Sequence, residues 1–450
     1  MTLAGVWAYW PVAVAGHADP AVRAESAAPA KARIRNTAET VAIWGLFLSL
    51  PIERILVADI AGFTVRPVYA FMALLVVLNA RMIPRSGVAG LVGVGIALAI
   101  GASAITSLST KQTAGYALWG LFTIVFFVSM VGRLRERRDL AETWTRTYVV
   151  TAGLWGAFTL LHSLLSFPFD SLAYAYVGDL PRVHALAYEP SFLAFYLVPA
   201  FYLSFATAQH YSTAAILAGV IASTSRAGLV GLAVGGVVLL LLARRAVVKK
   251  LVICGVAAAF GGGVQLILSR GAYTGFVTST VNVEEQASIA PRLGTWTDAW
   301  DVFLAHPVNG VGIGAYGGGV HELGMALNVS EADIKTTNLW LEVLAELGVM
   351  GFASLVALLV IAVLGLWRLR RQEPLALFVI TAIVASAAMF AFVQTWWVPY
   401  RWIVWILAYS IAFPLVTDRL RSRVDELAPT RNGSRVGATS RRDRAVEDRV

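Results

Sequence analysis

Three arginines of the chain stand in polar segments that separate long apolar stretches. Arg182 lies in the hydrophilic segment 167–190, Arg226 follows a short hydroxyl-rich turn, and Arg292 lies in a long polar loop at 269–337. A guanidinium group stays charged near neutral pH and binds phosphate oxygens through two parallel hydrogen bonds. The three arginines are therefore candidates to bind a phosphate or diphosphate group.

The turn around Arg226 supplies further polar groups. Ser225 places a hydroxyl group beside the guanidinium, and Gly228 allows the backbone to come close to a bound group. A second interpretation is that Arg226 extends to the phospholipid head groups, as arginines at the ends of apolar segments do. The sequence leaves both interpretations open.

Glu189 is the carboxylate best placed to act as a general base. It precedes Pro190 and Ser191 at the start of an apolar stretch, in the same segment as Arg182. A general base accepts the proton of a reacting hydroxyl group. The alternative is that Glu189 only stabilises a helix start, where a negative charge is favoured. Weaker candidates for the base are His306, His321, Asp298 and Asp301.

The long loop contains a predicted helix and a glycine-rich turn. Apolar residues from Trp296 to Phe303 recur at helical spacing, which indicates an amphipathic helix near the membrane surface. The segment 310–316, Gly-Val-Gly-Ile-Gly-Ala-Tyr, predicts a sharp bend. It is weak evidence for phosphate binding, and the alternative is a packing turn. Its Tyr316 either anchors the loop at the interface or stacks on a sugar ring.

The amino-acid composition indicates which class of protein contains these candidate residues. Hydrophobic residues make up 58% of the chain and charged residues only 14%, whereas a soluble domain carries about 25% charged residues. The net charge of +9 comes from short basic runs between apolar stretches, which argues against nucleic-acid binding. The single cysteine, Cys254, excludes an intramolecular disulfide and a cysteine-based metal site.

Apolar stretches of about 20 residues predict an all-α polytopic membrane protein with about twelve transmembrane helices. The predicted spans are 39–58, 66–80, 87–107, 114–132, 146–166, 190–207, 211–224, 227–242, 249–268, 338–366, 374–393 and 400–416. The basic clusters then fall on one side, which the positive-inside rule identifies as the cytoplasm. The polar segments with the candidate residues fall on the other side.

This pattern divides the chain into three parts. Residues 1–36 are predicted to form a disordered cytoplasmic tail, and residues 37–416 a transmembrane domain with one large external loop at 269–337 that contains short amphipathic helices. Residues 417–450 are rich in arginine, aspartate, serine and glycine and lack aromatic residues, which predicts a second disordered cytoplasmic tail.

The ordered set of motifs resembles the O-antigen ligase and Wzy-type polymerase superfamily of bacterial envelope enzymes. The motifs are Arg182 before Glu189-Pro190-Ser191, then Ser225-Arg226-Ala227-Gly228, then Arg292 to Gly314 with His306-Pro307, and finally Thr337-Asn338 to Glu346-Leu347-Gly348. The resemblance covers about 170 residues, from 182 to 352. It implies glycosyl transfer from an undecaprenyl-diphosphate-linked glycan at the outer leaflet of the bacterial inner membrane, with neither cofactor nor metal.

The same resemblance implies roles for individual residues. Glu189, Arg226 and Arg292 are expected to be catalytic. Residues expected to bind the substrate are Arg182, Ser225, His306, Tyr316, His321 and Asn338. The implied partners are the lipid-linked glycan, the bilayer, and possible flippase and chain-length regulator proteins, with the site facing the periplasm or exterior.

One departure from the family pattern bears on the reaction. In the ligases of this family, the last motif is expected to begin with a His-Asn pair. This chain instead has Thr337 before Asn338. A threonine hydroxyl is not a base near neutral pH, so the sequence favours a polymerase that joins two lipid-linked repeat units. The alternatives are an O-antigen ligase, a polysaccharide or lipid flippase, and a non-catalytic scaffold. The flippase is disfavoured because the centres of the predicted spans are nearly free of charge.

Overall fold

The computed structural model describes residues 30–53, 55, 58–60, 63–165, 174–177, 180–207, 209–243, 245, 247–256, 290–331, 333–394, 396 and 398–413. Helices dominate this part of the chain, and the strands form only two short hairpins. The predicted class, an all-α polytopic membrane protein, is confirmed. The predicted tail 417–450 and the first part of the predicted external loop lie outside the described residues.

The elements follow one another along the chain with short connections. The helices are α1 (Ala30–Ser49), α2 (Pro67–Asn79), α3 (Val88–Ile105), α4 (Thr110–Glu136), α5 (Arg138–Leu165), α6 (Pro190–Thr207), α7 (His210–Ala222), α8 (Arg226–Leu242), α9 (Ala290–Ala305), α10 (Tyr316–Glu322), α11 (Leu339–Leu369), α12 (Pro374–Met389) and α13 (Pro399–Ala412). Short 3-10 turns, Ala80–Arg85 and Phe390–Phe392, extend α2 and α12. The antiparallel hairpins are β1 (Ala58–Ile60) with β2 (Phe63–Val65) and β3 (Tyr174–Val177) with β4 (Leu180–Val183).

Six helices of the described residues are long and apolar enough to cross a membrane. They are α2 with its 3-10 extension, α3, α4, α6, α11, and α12 with its 3-10 extension. The apolar helices α7 and α8 are shorter. The predicted total of about twelve spans is not confirmed, and the span predicted at 249–268 extends beyond the described residues.

The first predicted span, 39–58, is wrong in its boundaries. Helix α1 begins at Ala30, inside the predicted tail 1–36, and ends at Ser49. Pro51 explains the end, because proline has no N–H group and disfavours helical geometry in the residue before it. The rest of the predicted span passes through Glu53 to the β1–β2 hairpin.

Polar contacts fall into two groups at opposite ends of the helices. At one end, which we call the basic end, Arg133 binds both carboxylate oxygens of Glu39 at 2.7–2.8 Å and Glu136 at 2.9 Å. At the other, the loop end, Glu53 contacts Arg66. Arg133 was predicted to lie on the cytoplasmic side, whereas Glu53 and Arg66 fell within predicted spans.

Buried hydroxyl groups hold α1, α5 and α6 together in the core. The Tyr148 hydroxyl donates to the carbonyl oxygen of Tyr196 at 2.7 Å, and the Tyr196 hydroxyl donates to that of Phe47 at 3.0 Å. The rings of Phe47 and Tyr148 stack with centroids 5.1 Å apart. Each hydroxyl is hydrogen-bonded, so its burial costs little. These bonds fix α6, whose first turn follows Glu189.

The alternating topology predicts the accessibility of cysteines placed at the two ends. In a Cys254→Ser background, Glu142→Cys at the basic end and Asn328→Cys in the polar loop both replace exposed residues. The positive-inside rule places the basic end in the cytoplasm. We therefore expect a membrane-impermeant maleimide to label the cysteine at 328 in intact cells, and the cysteine at 142 only after permeabilisation. Labelling of position 142 from outside would overturn the topology.

Candidate functional site

The 3-10 turn that follows α12 brings together several elements with predicted site residues. Phe390 stacks on Phe195 of α6 with centroids 5.3 Å apart and meets Trp340 of α11 edge-on at 5.4 Å. Phe392 lies 6.5 Å from Trp296 of α9. Three segments that are distant in the sequence therefore meet at the loop end.

The start of α8 places Arg226 against α6. Ser225 is fully buried and caps the helix, because its hydroxyl oxygen accepts a hydrogen bond from the Gly228 N–H at 3.2 Å. A Cβ at Gly228 would overlap the side chain of Ala194, so α8 and α6 are closely packed here. Arg226, half-buried, is the first helical residue. Its guanidinium and the positive end of the α8 dipole both favour an anion.

The start of α6 holds Glu189 in a defined geometry. The carbonyl oxygen of Glu189 accepts hydrogen bonds from the N–H groups of Phe192 and Leu193 at 3.1 and 3.2 Å. One of its carboxylate oxygens accepts a hydrogen bond from the Ser191 hydroxyl at 3.0 Å. The residue is half-buried. Glu189 therefore takes part in the helix start, and it also keeps a carboxylate partly open at the loop end.

A buried group of charges lies beside Glu189, and the sequence analysis did not identify it. Glu53 is 3% exposed, lies 3.4 Å from Arg66, and accepts a hydrogen bond from the Tyr188 N–H at 2.8 Å. The charges of Arg66, Arg401 and Glu189 all act on it. Burial raises the pKa of Glu53, and Arg66 and the Tyr188 N–H partly offset this rise. Charges within predicted spans were the signal that could have found this group.

Arg401 of α13 lies in an aromatic setting close to the same group. It is 3% exposed, and its guanidinium carbon lies 5.5 Å from the Phe192 ring centroid and 5.3 Å from that of Phe195. Cations at such distances are attracted to aromatic rings. The charges of Glu342 and Glu53 also act on Arg401. Arg401 therefore lies close to the start of α6 and to two carboxylates, Glu53 after α1 and Glu342 of α11.

The start of α11 is held by residues of the last motif. Asn338 caps the helix, because its side-chain oxygen accepts hydrogen bonds from the N–H groups of Trp340 and Leu341 at 3.0 and 3.3 Å. The Thr337 hydroxyl accepts a hydrogen bond from the indole N–H of Trp296 at 3.1 Å. This bond joins α9 to the start of α11.

The glycine-rich segment fills a break in α11. Helical geometry is interrupted at Gly348, which has a φ of 62°. The N–H groups of Val311 and Gly312 donate to the carbonyl oxygens of Ala345 and Glu346 at 3.0 Å. Gly312 has a φ of 104°, a conformation that favours glycine. The segment thus satisfies backbone groups at the break, which supports the interpretation as a packing turn.

Two buried carboxylates lie on the broken part of α11. Glu342 and Glu346 are 4% and 2% exposed, and they line a cavity of about 10 Å³ together with Tyr316 and Lys335. The backbone N–H groups of Gly314 and Tyr316 act electrostatically on the Glu346 carboxyl group. The cavity has space for about one water molecule. These carboxylates are therefore enclosed, in contrast to Glu189.

Three predicted substrate ligands take part in contacts inside the polar loop. The Tyr316 hydroxyl donates to the carbonyl oxygen of Thr295 at 3.0 Å, and burial raises the pKa of this phenol. His306 lies 2.6 Å from Glu322. The His321 ring lies 2.9 Å from the carbonyl oxygen of Val329. These contacts hold the loop together, and substrate binding by these residues stays a prediction.

For the two remaining candidate arginines, Arg182 and Arg292, the structure describes only the backbone. Arg182 lies in β4 opposite Ala175, and Arg292 lies in the first turn of α9, whereas their side chains are not among the described ones. The convergence of these arginines with Arg226 therefore stays a prediction. Of the weaker base candidates, Asp298 is half-buried and Asp301 exposed. Desolvation and the nearby Asp301 raise the pKa of Asp298.

The described residues contain no group of three or more His, Cys, Asp or Glu side chains that could hold a metal ion. The expected independence from metals is not tested by this observation and stays a prediction.

Comparison with known proteins identifies the class of the chain. Residues 211–356 match the Wzy_C family model, described as O-antigen ligase. The match runs from α7 into α11 and includes Arg226, Arg292 and Asn338. Together with the helical membrane fold, it defines a multi-pass membrane enzyme that processes glycans. The match covers about a third of the chain and supports the resemblance to the O-antigen ligase and Wzy polymerase superfamily that the motifs predicted. A search of curated proteins found no match.

The geometry at Arg226 predicts that lysine cannot replace it. A point-charge ammonium cannot form the two parallel hydrogen bonds of a guanidinium group. Charged hydrogen bonds contribute about 1.5–3 kcal/mol, so we expect Arg226→Lys to reduce glycan transfer by roughly 10- to 100-fold. Arg245→Lys, an exposed position at the basic end, is the matched control. Normal transfer by the Arg226→Lys variant in a lipid-diphosphate assay would contradict a bidentate role.

Proposed function

We propose that this protein is a membrane glycosyltransferase that polymerises undecaprenyl-diphosphate-linked repeat units into a surface polysaccharide. The reaction takes place at the outer leaflet of the bacterial inner membrane. The observation that favours a polymerase over a ligase is the hydrogen bond from Trp296 to Thr337. Thr337 stands where the ligase pattern has histidine, and its hydroxyl group binds α9 to the start of α11. It supplies no base.

The proposed reaction is a substitution at the anomeric carbon of the donor sugar. A hydroxyl group of one lipid-linked unit attacks this carbon, and Glu189 accepts the hydroxyl proton. A new glycosidic bond forms as the bond from the anomeric carbon to the diphosphate oxygen breaks. Undecaprenyl diphosphate leaves with the bonding electron pair. Arg226 and Arg292 stabilise the negative charge that develops on the diphosphate, and Arg182 binds the substrate.

Glu189 is favoured as the base by its exposure. The carboxylates of Glu53, Glu342 and Glu346 are all less than 5% exposed, whereas Glu189 is half-buried at the loop end. An acceptor hydroxyl group must come within hydrogen-bonding distance of its base. The family match leaves a second candidate function, an O-antigen ligase that transfers glycan to a lipid A-core acceptor. Flippase and chain-length regulator proteins are proposed partners of the polymerase.

The proposal predicts a large effect of Glu189→Gln. Glutamine keeps the shape and accepts the Ser191 hydrogen bond, but it cannot accept the acceptor proton. General-base catalysis typically contributes about 10²–10⁴ in rate, so we expect a loss of that size. The measurement is the ladder of chain lengths that purified protein makes from lipid-diphosphate repeat units. A ladder that forms at the normal rate in this variant would exclude Glu189 as the base.

The proposal also predicts the outcome of Thr337→His. This substitution removes the acceptor of the Trp296 hydrogen bond and introduces the residue type of the ligase pattern. We expect transfer to a lipid A-core acceptor to stay absent in both wild type and variant, because the acceptor of a polymerase is a second lipid-linked unit. Glycan on the lipid A-core acceptor, with no polymer ladder, would show that the protein is a ligase.

A further inference from the structure

Glu53 contacts the segment before Glu189 through both its backbone and its side chain. Its backbone N–H donates to the carbonyl oxygen of Leu186 at 2.9 Å, and its carboxylate accepts from the Tyr188 N–H at 2.8 Å. Its other carboxylate oxygen lies 3.4 Å from Arg66. The connection after α1 is thereby bound to the last residues before α6.

The segment that Glu53 holds begins with buried residues, since His184, Ala185 and Ala187 are at most 1% exposed. It makes a tight turn in which Ala185 has a φ of 53°, and the Ala187 N–H donates to the carbonyl oxygen of His184 at 3.0 Å. A positive φ is costly for alanine, so surrounding contacts must maintain this backbone. Tyr188, the residue before Glu189, is 53% exposed, and its ring centroid lies 6.1 Å from that of Phe192. The buried Glu53 carboxylate therefore supplies a fixed point one residue from Glu189.

The charge of Glu53 has a second consequence. Arg66, which precedes α2, and Arg401 of α13 both act on Glu53, and Glu189 acts on it from the start of α6. Two cations and two anions thus share a region where Glu53 and Arg401 are each 3% exposed. A buried charge whose partner is removed is strongly unfavourable. A neutral residue at position 53 would leave these cations undercompensated. Even glutamine, which can still accept from the Tyr188 N–H, would form a weaker bond than the charged carboxylate.

We infer that Glu53 is a positioning residue that holds the 186–188 segment and thereby orients the Glu189 carboxylate towards the acceptor hydroxyl group. The inference rests on the proposed role of Glu189 as general base. A catalytic group displaced by about 1 Å can lose about 100-fold in rate while substrate binding is preserved. Glu53 itself is too deeply buried to contact the substrate.

The test compares Glu53→Gln with Glu39→Gln. Glu39 is a matched control, because it is a 1% exposed carboxylate paired with an arginine, Arg133, at the basic end. Kinetics with lipid-diphosphate repeat units are combined with hydrogen–deuterium exchange of the 185–193 peptide. For Glu53→Gln we expect kcat to fall by about 10- to 100-fold with KM within about twofold, and the peptide to exchange at least about tenfold faster. Glu39→Gln should change neither, and Glu53→Asp, which keeps the charge, should recover part of the lost kcat.

Three outcomes would overturn the inference. These are unchanged exchange in Glu53→Gln, faster exchange with normal kcat, or equal losses in Glu53→Gln and Glu39→Gln, which would indicate general destabilisation. Failure of the proposed base gives a different result, because Glu189→Gln would then form polymer normally. If wild type makes no ladder, the proposed function fails, and the exchange data alone decide whether Glu53 holds the segment.

Discussion

The burial of charge in an apolar helical bundle is the constraint on which the loop end depends. Glu53 and Arg401 are each 3% exposed, and such groups are tolerated only with opposite charges or hydrogen-bond donors close by. The partners come from three distant parts of the chain, with Arg66 before α2, Tyr188 before α6, and Arg401 on α13. The contacts of the Glu53 carboxylate, which follows α1, therefore bring α1, α2, α6 and α13 together.

The opposite end follows the same rule with a simpler arrangement. Arg133 of α4 contacts both oxygens of Glu39 of α1, a geometry that satisfies a buried carboxylate directly. Removing one partner of such a pair costs about 3–5 kcal/mol. The basic end thus holds α1 against α4, while the loop end places charges of the same kind beside a partly open carboxylate, Glu189. Within the part of the chain that the structure describes, the loop end combines buried charges with a partly accessible carboxylate.

Backbone hydrogen bonding imposes a second constraint on the site. A helix broken within an apolar environment must find other partners for its free carbonyl oxygens. The segment around Gly312 supplies them for α11, because the N–H groups of Val311 and Gly312 donate to the carbonyl oxygens of Ala345 and Glu346. The polar loop is thereby fixed to the transmembrane helix that Asn338 caps. Through Thr337 and Trp296, the same helix start is joined to α9, which carries Arg292.

The sequence by itself determined the class of fold and most helix boundaries. Continuous apolar runs have one stable solution in a bilayer, so α6, predicted at 190–207, matches the structure at both ends. Motif order also predicted the resemblance that the family match supports. It singled out Arg226 and Glu189 because these residues interrupt apolar runs. The sequence misplaced the end of α1, since the hydropathy of 39–58 outweighed the proline signal at position 51.

Only the tertiary structure decided which charges meet. Glu53, Arg66 and Arg401 are separated by up to about 350 residues, and nothing local in their neighbourhoods pairs them. Ser225 and Asn338 were read from the sequence as ligands, whereas the structure shows their oxygens capping helices. Helical periodicity depends on interactions within four residues and can be read along the chain. The pairing of buried charges depends on how the helices pack, and that packing is a property of the whole fold.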